Sequence, residues 1–386
     1  MPWTGPTGFT SAARVEADSK IRSPASSGRP DGAGPGVGPV PQAHFERGTV
    51  MSSMDIWRIA HDGLPARAAD RLDADMRHVL GVRAAMGGRP IEACRTTEEA
   101  RAQPTLDMAL RRILRDTAGD LGVGMEMRLI AGPKGEMRVR IYHPPGVDAA
   151  RPLIVYFHGG LFVLGDLEHF DATPRSLACR TGAVVVSAHY RQAPEHRFPA
   201  AHEDAHAAWI WALENAAALG ADARRAALVG EDAGGNLAVN VALRARDEGR
   251  IGPVHLGLIG PMAAMLFDLP SHLEPGEPGA LNTEALRWAS RKLFRRKDDL
   301  RDARANVAGR IDLGGLAPTT VILAAADPLR SEGEALADAL RRAGVWVDMT
   351  LYEGVTHGFF GLYQIVNKAM FAQAQLARNL SLALGT

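Results

Sequence analysis

The chain has 386 residues, 46% hydrophobic and 23% charged, the balance of a globular protein with a substantial core. Lys plus Arg and Asp plus Glu number 44 each, so no net field draws it to nucleic acid or to an anionic membrane. Two cysteines, Cys94 and Cys179, cannot build a disulfide framework, and no apolar run nears the roughly 18 residues of a membrane helix.

Residues 1–50 are rich in Gly, Pro, Ser and Ala and show no periodicity. The stretch 23–41 carries too little apolar surface to offset the entropy of ordering, so a disordered tail is expected. It has no unbroken apolar run of the secretory kind. Met51 and Met54 offer alternative starts, and from either one the tail is not translated. Helical patterns follow over 54–86 and 105–121, the second with Leu106, Met108, Leu110, Ile113 and Leu114 on one stripe. Residues 51–121 are therefore expected to form a helical region, either a cap over the active end or cover for a sheet edge.

From Met125 the period changes. Residues 127–130 and 137–142 read as two strands joined by the turn Gly132-Pro133-Lys134-Gly135, the second with the alternation of a sheet edge. Short apolar runs come next at 153–157, 183–187, 227–229, 254–259, 321–325 and 345–352. Amphipathic stretches separate them, among them 200–219, 233–247 and 332–343. Strands alternating with helices predict an α/β fold with a mostly parallel sheet covered on both faces, residues 122–386 forming that domain. Ligands of such sheets sit at the carboxyl ends of the strands.

Four strand ends carry candidate groups. Leu228-Val229-Gly230-Glu231-Asp232-Ala233-Gly234 has the layout of a nucleophile elbow, G-x-S-x-G, with Asp232 where serine belongs. His158-Gly159-Gly160-Leu161 can turn backbone N–H groups toward an oxygen, as an oxyanion hole requires. Asp327 follows a strand, and His357 follows the next. The order elbow, acid, histidine is that of α/β-hydrolases.

These stretches resemble the hormone-sensitive-lipase-like branch of the α/β-hydrolase superfamily over residues 125–386. His158 to Glu168 is similar to HGGGF-x-x-GDLE, and Tyr190 to Ala201 to YRLAPEH-x-FPAA. Residues 230–236 stand where GDSAGGN is expected, Asp327 to Gly333 matches DPLRDEG, and His357-Gly358-Phe359 matches HGF. The resemblance implies the α/β-hydrolase fold with an N-terminal helical cap, carboxylesterase activity on small esters, and no cofactor. It implies Asp232, Asp327 and His357 as catalytic residues and Gly159, Gly160, Leu161 and Ala233 around the oxyanion hole. Leu161 departs from the third glycine of HGGG, Glu231 from aspartate, and Asp232 from serine.

A carboxylate has no hydroxyl proton to surrender, its ordinary pKa is about 3.9, and the hole and the helix end at Ala233 are expected to favour its charge. Attack on an ester would give an adduct that expels the carboxylate itself. Three roles stay open: nucleophile on a saturated carbon, as in epoxide and haloalkane hydrolases; base and acid with His357 on water or a substrate proton, hydrolytic or lyase-like; and a binding or receptor site without turnover. The expected partner is a small-molecule substrate, with no nucleic acid, no membrane, no metal or other cofactor, and a homodimer as candidate assembly; the cysteine usage points to the cytoplasm. Trp209 and Trp211 are read as packing, His169 and His196 lack metal-ligand spacing, and Glu195, His196 and Arg197 are expected to tie a loop to the sheet. The basic residues Arg287, Arg291, Lys292, Arg295, Arg296 and Lys297 read as a solvated, mostly helical surface, and 266–282 as a loop broken by Pro and Gly.

Overall fold

The computed structural model describes residues 71–114, 122–146 and 150–386; the tail expected over 1–50 and the helical pattern before residue 71 lie outside them. The runs of β-branched and apolar residues become a sheet of eight strands in the order β1-β2-β4-β3-β5-β6-β7-β8. These are β1 (Gly124–Gly132), β2 (Gly135–His143), β3 (Arg151–Phe157), β4 (Val184–Ala188), β5 (Ala221–Glu231), β6 (Leu256–Ile259), β7 (Thr319–Ala326) and β8 (Val347–Thr356). Strand β2 runs antiparallel to both neighbours, and the pairs from β4 to β8 are parallel. This is the α/β-hydrolase fold expected from the sequence.

The alternation in 137–142 has a different origin from the sheet edge expected there. The edge strand is β1, and β2 lies one place inside it. Strand β4 is five residues long and reaches β2 only from Val139 to Tyr142, so the first half of β2 lacks a neighbour on that side. That half alternates in burial, while Val139 and Ile141 are fully buried.

Even and odd positions of the interior strands serve two cores. Leu153, Val155, Val186, Leu228, Leu258 and Val321 face one side, packed by helices α5 (Ala200–Glu214), α6 (Ala233–Asp247), α8 (Thr283–Leu293) and α9 (Arg330–Arg342). Ile154, Tyr156, Val185, Val229 and Ile322 face the other, under α1 (Ala74–Ala85), α3 (Leu106–Leu114), α4 (Ala172–Thr181) and α10 (Asn367–Leu384). Trp209 is fully buried in the first core, as its packing role requires, with Trp211 against it. The short helices α2 (Thr97–Arg101) and α7 (Pro270–Leu273) complete the set. No helix among the described residues is long and apolar enough to cross a membrane.

The turn from β5 into α6 depends on glycine. A Cβ on Gly230 would stand 2.0 Å from the Gly234 carbonyl oxygen, and one on Gly234 would stand 1.9 Å from that of Phe157. Backbone cannot yield by that much, so helix and strands approach only where side chains are missing. Gly234→Ala is expected to cost more than about 3 kcal/mol, at or beyond the upper end of ordinary overpacking. A denaturant melt within about 1 kcal/mol of the parent would refute this account of the turn.

Candidate active site

Asp232 sits at the turn with φ 51° and ψ −115°, outside the left-handed well that aspartate tolerates. Four backbone bonds hold it there: its N–H donates to Ile259 O at 2.9 Å, and its carbonyl accepts from Met262 N and Gly235 N at 3.0 Å each and from Asn236 N at 3.4 Å. The side chain therefore rises at the carboxyl ends of β3 and β5 and faces the loop after β3. In that loop Gly160 has φ 109°, and a Cβ there would meet the Leu164 carbonyl at 2.0 Å. Leu161 and Phe162 also have positive φ, 57° and 63°, so the backbone keeps its turn although Leu161 is not glycine.

The consequence is unusual. Gly160 N–H and Leu161 N–H, which point where an oxyanion would form, both donate to Asp232 Oδ2, at 2.8 and 2.9 Å. The carboxylate occupies its own oxyanion hole. Of the other two residues expected there, Gly159 presents its carbonyl to the Tyr190 hydroxyl at 3.3 Å, and the Ala233 N–H has no acceptor among the described residues. Asp232 Oδ1 is buried and likewise without a partner among them.

His357 follows β8 and is brought to the same point. Its Nδ1 donates to Asp327 Oδ2 at 2.8 Å, while Asp327 Oδ1 accepts from Leu329 N–H at 2.8 Å, which fixes the acid and, through it, the ring. His357 Nε2 lies 3.9 Å from Asp232 Oδ2, longer than a hydrogen bond and short enough for strong Coulomb attraction. All three residues singled out in the sequence converge. Behind them Glu231 is buried and accepts from the Tyr156 hydroxyl at 2.7 Å.

Burial alone would strip the proton from His357, but Asp327, then Asp232 and Glu231, outweigh it and raise its pKa to about 9. Burial also lifts Asp232 above the ordinary carboxylate range; His357 and the two N–H groups pull it back only in part. Of that expectation, the pull of the hole's two N–H groups toward the charged form is present but smaller than desolvation, so Asp232 ends above the ordinary range. The site thus sets a histidine biased toward its protonated form between the side chains of Asp327 and Asp232.

These groups open into a cavity of about 640 Å³, within the usual range for small-molecule sites. Leu106, Leu161, Leu164, Phe170, Ile259 and Leu362 supply apolar wall. Residues between Arg83 and Asp107, ahead of the sheet, also line it, as do Gly276 to Asn282 from the Pro- and Gly-broken stretch. Glu92, Glu277 and Arg83 were not singled out in the sequence, because nothing in their spacing marks them. Glu195 and Arg197 tie their loop elsewhere than to the sheet: Glu195 pairs with Arg101 of α2 at 2.8 Å, and Arg197 donates to Phe294 O after α8 at 2.7 Å. Among the described residues no cluster of His, Cys, Asp and Glu is placed to hold a metal ion.

A family model described as alpha/beta hydrolase fold matches residues 154–361. The chain belongs to the α/β-hydrolase family. Within it the hydrolase falls in the hormone-sensitive-lipase-like, esterase- and lipase-like branch. It is 42% identical over 243 residues to carboxylic ester hydrolase LipN of Mycobacterium tuberculosis, a match spanning 61% of this chain and 64% of LipN. It is 39% identical over 269 residues to esterase LipI of the same organism, spanning 68% of this chain and 83% of LipI. A solved hyperthermophilic esterase from Pyrobaculum calidifontis superposes with a TM-score of 0.74 at 35% identity, covering 81% of this chain and 99% of that one.

The raised pKa of His357 has a stability counterpart. An unfolded histidine titrates near 6.5 and this one near 9, so its stabilisation is complete below about pH 6.5 and lost as pH rises through about 9. The melting temperature of the hydrolase should fall between pH 7 and 9.5 more steeply than that of His357→Gln. Parallel curves for the two proteins would contradict the buried ion cluster.

Proposed function

We propose that this hydrolase cleaves small, largely apolar carboxylic esters, with Asp232 as general base and His357 as general acid on a water molecule. The observation carrying this is the placement of His357 Nε2 3.9 Å from Asp232 Oδ2, which sets a potential acid and a potential base side by side at the oxyanion hole. The identities to named esterases support the ester; the protonated His357 supports the division of labour, since an imidazolium cannot be the base.

In this reading the Asp232 carboxylate first leaves the hole, swinging toward His357, and the ester carbonyl oxygen takes its place on Gly160 N–H and Leu161 N–H. Asp232 removes a proton from water, and the hydroxide oxygen bonds to the carbonyl carbon as the C=O pair moves onto oxygen. When the pair returns, the C–O bond to the alcohol breaks, and His357 Nε2 gives its proton to the departing alkoxide. Asp232 then returns the water proton to His357, leaving acid and alcohol. No acyl-enzyme forms, because an adduct on Asp232 would expel the carboxylate, a far better leaving group than an alkoxide.

With p-nitrophenyl butyrate as substrate, Asp232→Asn and His357→Ala should each lower kcat/KM at least about a hundredfold, the usual worth of a positioned acid or base. Asp232→Ser should raise it about a hundredfold, since it restores a hydroxyl nucleophile and clears the hole. Asp232→Ala decides between base and mere obstruction: activity at or above the parent's would leave Asp232 no catalytic part. An acyl adduct on Asp232 in the intact mass of the parent would equally overturn the water mechanism.

The pH profile reports the same assignment. Parent activity should rise as Asp232 ionises and fall on the alkaline side as His357 loses its proton near pH 9. In Asp232→Ser the histidine must be neutral to act, so activity should instead climb with pH through the imidazole titration. A parent profile that climbs through pH 9 would sink the acid role of His357.

A further inference from the structure

Strand β1 ends the sheet on one side, and no described residue pairs with its outer edge. The direction of its peptide groups follows from one bond. His189 N–H, just past β4, donates to Arg138 O at 3.0 Å, so the backbone of Arg138 is turned toward β4 and away from β1. Leu129 stands opposite Arg138, and peptide groups alternate in direction along an antiparallel strand. The N–H and C=O of Leu129, Met127 and Met125 therefore all point past the sheet.

The side chains of those three residues share one face and are 61%, 49% and 50% exposed, while Glu126 and Arg128 take the other face. An open edge with an apolar stripe is a template for another strand, which natural sheets blunt with lysine, proline or a bulge. Neither lysine nor proline occurs in Gly124–Gly132, and its register against β2 is unbroken. The opposite edge is partly covered, since Leu72 bridges Gly354 of β8 and Asp73 N–H donates to Gly354 O at 2.8 Å.

Strand β1 is also complementary to itself about Met127. When two copies run antiparallel with Met127 opposite Met127, the outward peptide groups of each strand meet those of the other. Met125 then faces Leu129 twice, and Glu126 faces Arg128 twice. Sliding the strands by two residues is the smallest step that keeps the peptide groups matched. It sets Glu126 against Glu126 or Arg128 against Arg128, and like charges directly opposite are destabilising. Within one copy Arg128 Nη2 lies 2.7 Å from Glu126 Oε1, so both charges are already gathered on the face where they would cross. We propose that this protein forms a two-fold dimer through β1, a second copy of the chain extending the sheet edge to edge. The interface is independent of which ester the hydrolase cleaves, and of whether it cleaves one.

Sedimentation velocity on the full chain tests this, with circular dichroism to show that each variant is folded. The parent should sediment as a dimer at about 50 µM, where a micromolar Kd leaves mostly dimer. Met127→Pro removes one outward N–H and no bond to β2, and should give a monomer. Glu126→Arg and Arg128→Glu each bring like charges together and should raise the Kd at least about tenfold. An equimolar mixture of these two restores opposite charges across the axis and should recover the dimer. A monomeric parent overturns the proposal. So does a dimer that a folded Met127→Pro leaves intact, or a mixture of the charge variants that associates no better than either alone. The charge variants decide the matter if Met127→Pro does not fold.

Discussion

Everything at the catalytic end hangs on how closely helix α6 is drawn against strand β3. Gly234 touches the Phe157 carbonyl through a position where any side chain would collide, and that contact brings residue 232 up to the loop at Gly160. The same approach that builds the hole also decides what fills it. A carboxylate reaches one bond farther from Cβ than a serine hydroxyl does, and that extra reach lands Oδ2 on both hole donors. The strained backbone at φ 51° is maintained by bonds to Ile259 and Met262, so the elbow keeps its shape whichever side chain it carries.

Electrostatics then sets the resting state. A unit pair at 4 Å is worth on the order of 4 kcal/mol at an effective dielectric of about 20, so Asp327 in contact and Asp232 at 3.9 Å together outweigh the burial of one imidazole. In a serine-type triad the histidine waits neutral and takes a proton. Here a second acidic side chain faces it and raises its affinity for a proton. Replacing one residue changes the group that faces the imidazole while the scaffold that positions both is unchanged.

The cavity wall shows how segments far apart in the chain share one site. Residues 83–107 and 276–282, which both line the cavity, meet through Arg83 to Gly279 and Glu92 to Asn282. Both segments place polar groups beside the apolar wall, and Arg83 ties them together through Pro104 O and Gly279 O.

Much was legible in the sequence because it was local. Interior strands had to be apolar on both faces, and the elbow glycines announced a turn too tight for a Cβ. The order of Asp232, Asp327 and His357 along the chain implied their convergence at the strand ends. What remained hidden depended on distance in space. The alternation in the first half of β2 follows from the shortness of β4 beside it, and the strand at the edge is β1, which the pattern in β2 cannot report. The lodging of Asp232 in its own hole, the raised proton affinity of His357 and the pairing of Glu92 with Asn282 arise from groups dozens to hundreds of residues apart. Periodicity records which face a side chain takes within its own element; which atoms then meet it, and at what dielectric, is set only when the elements pack.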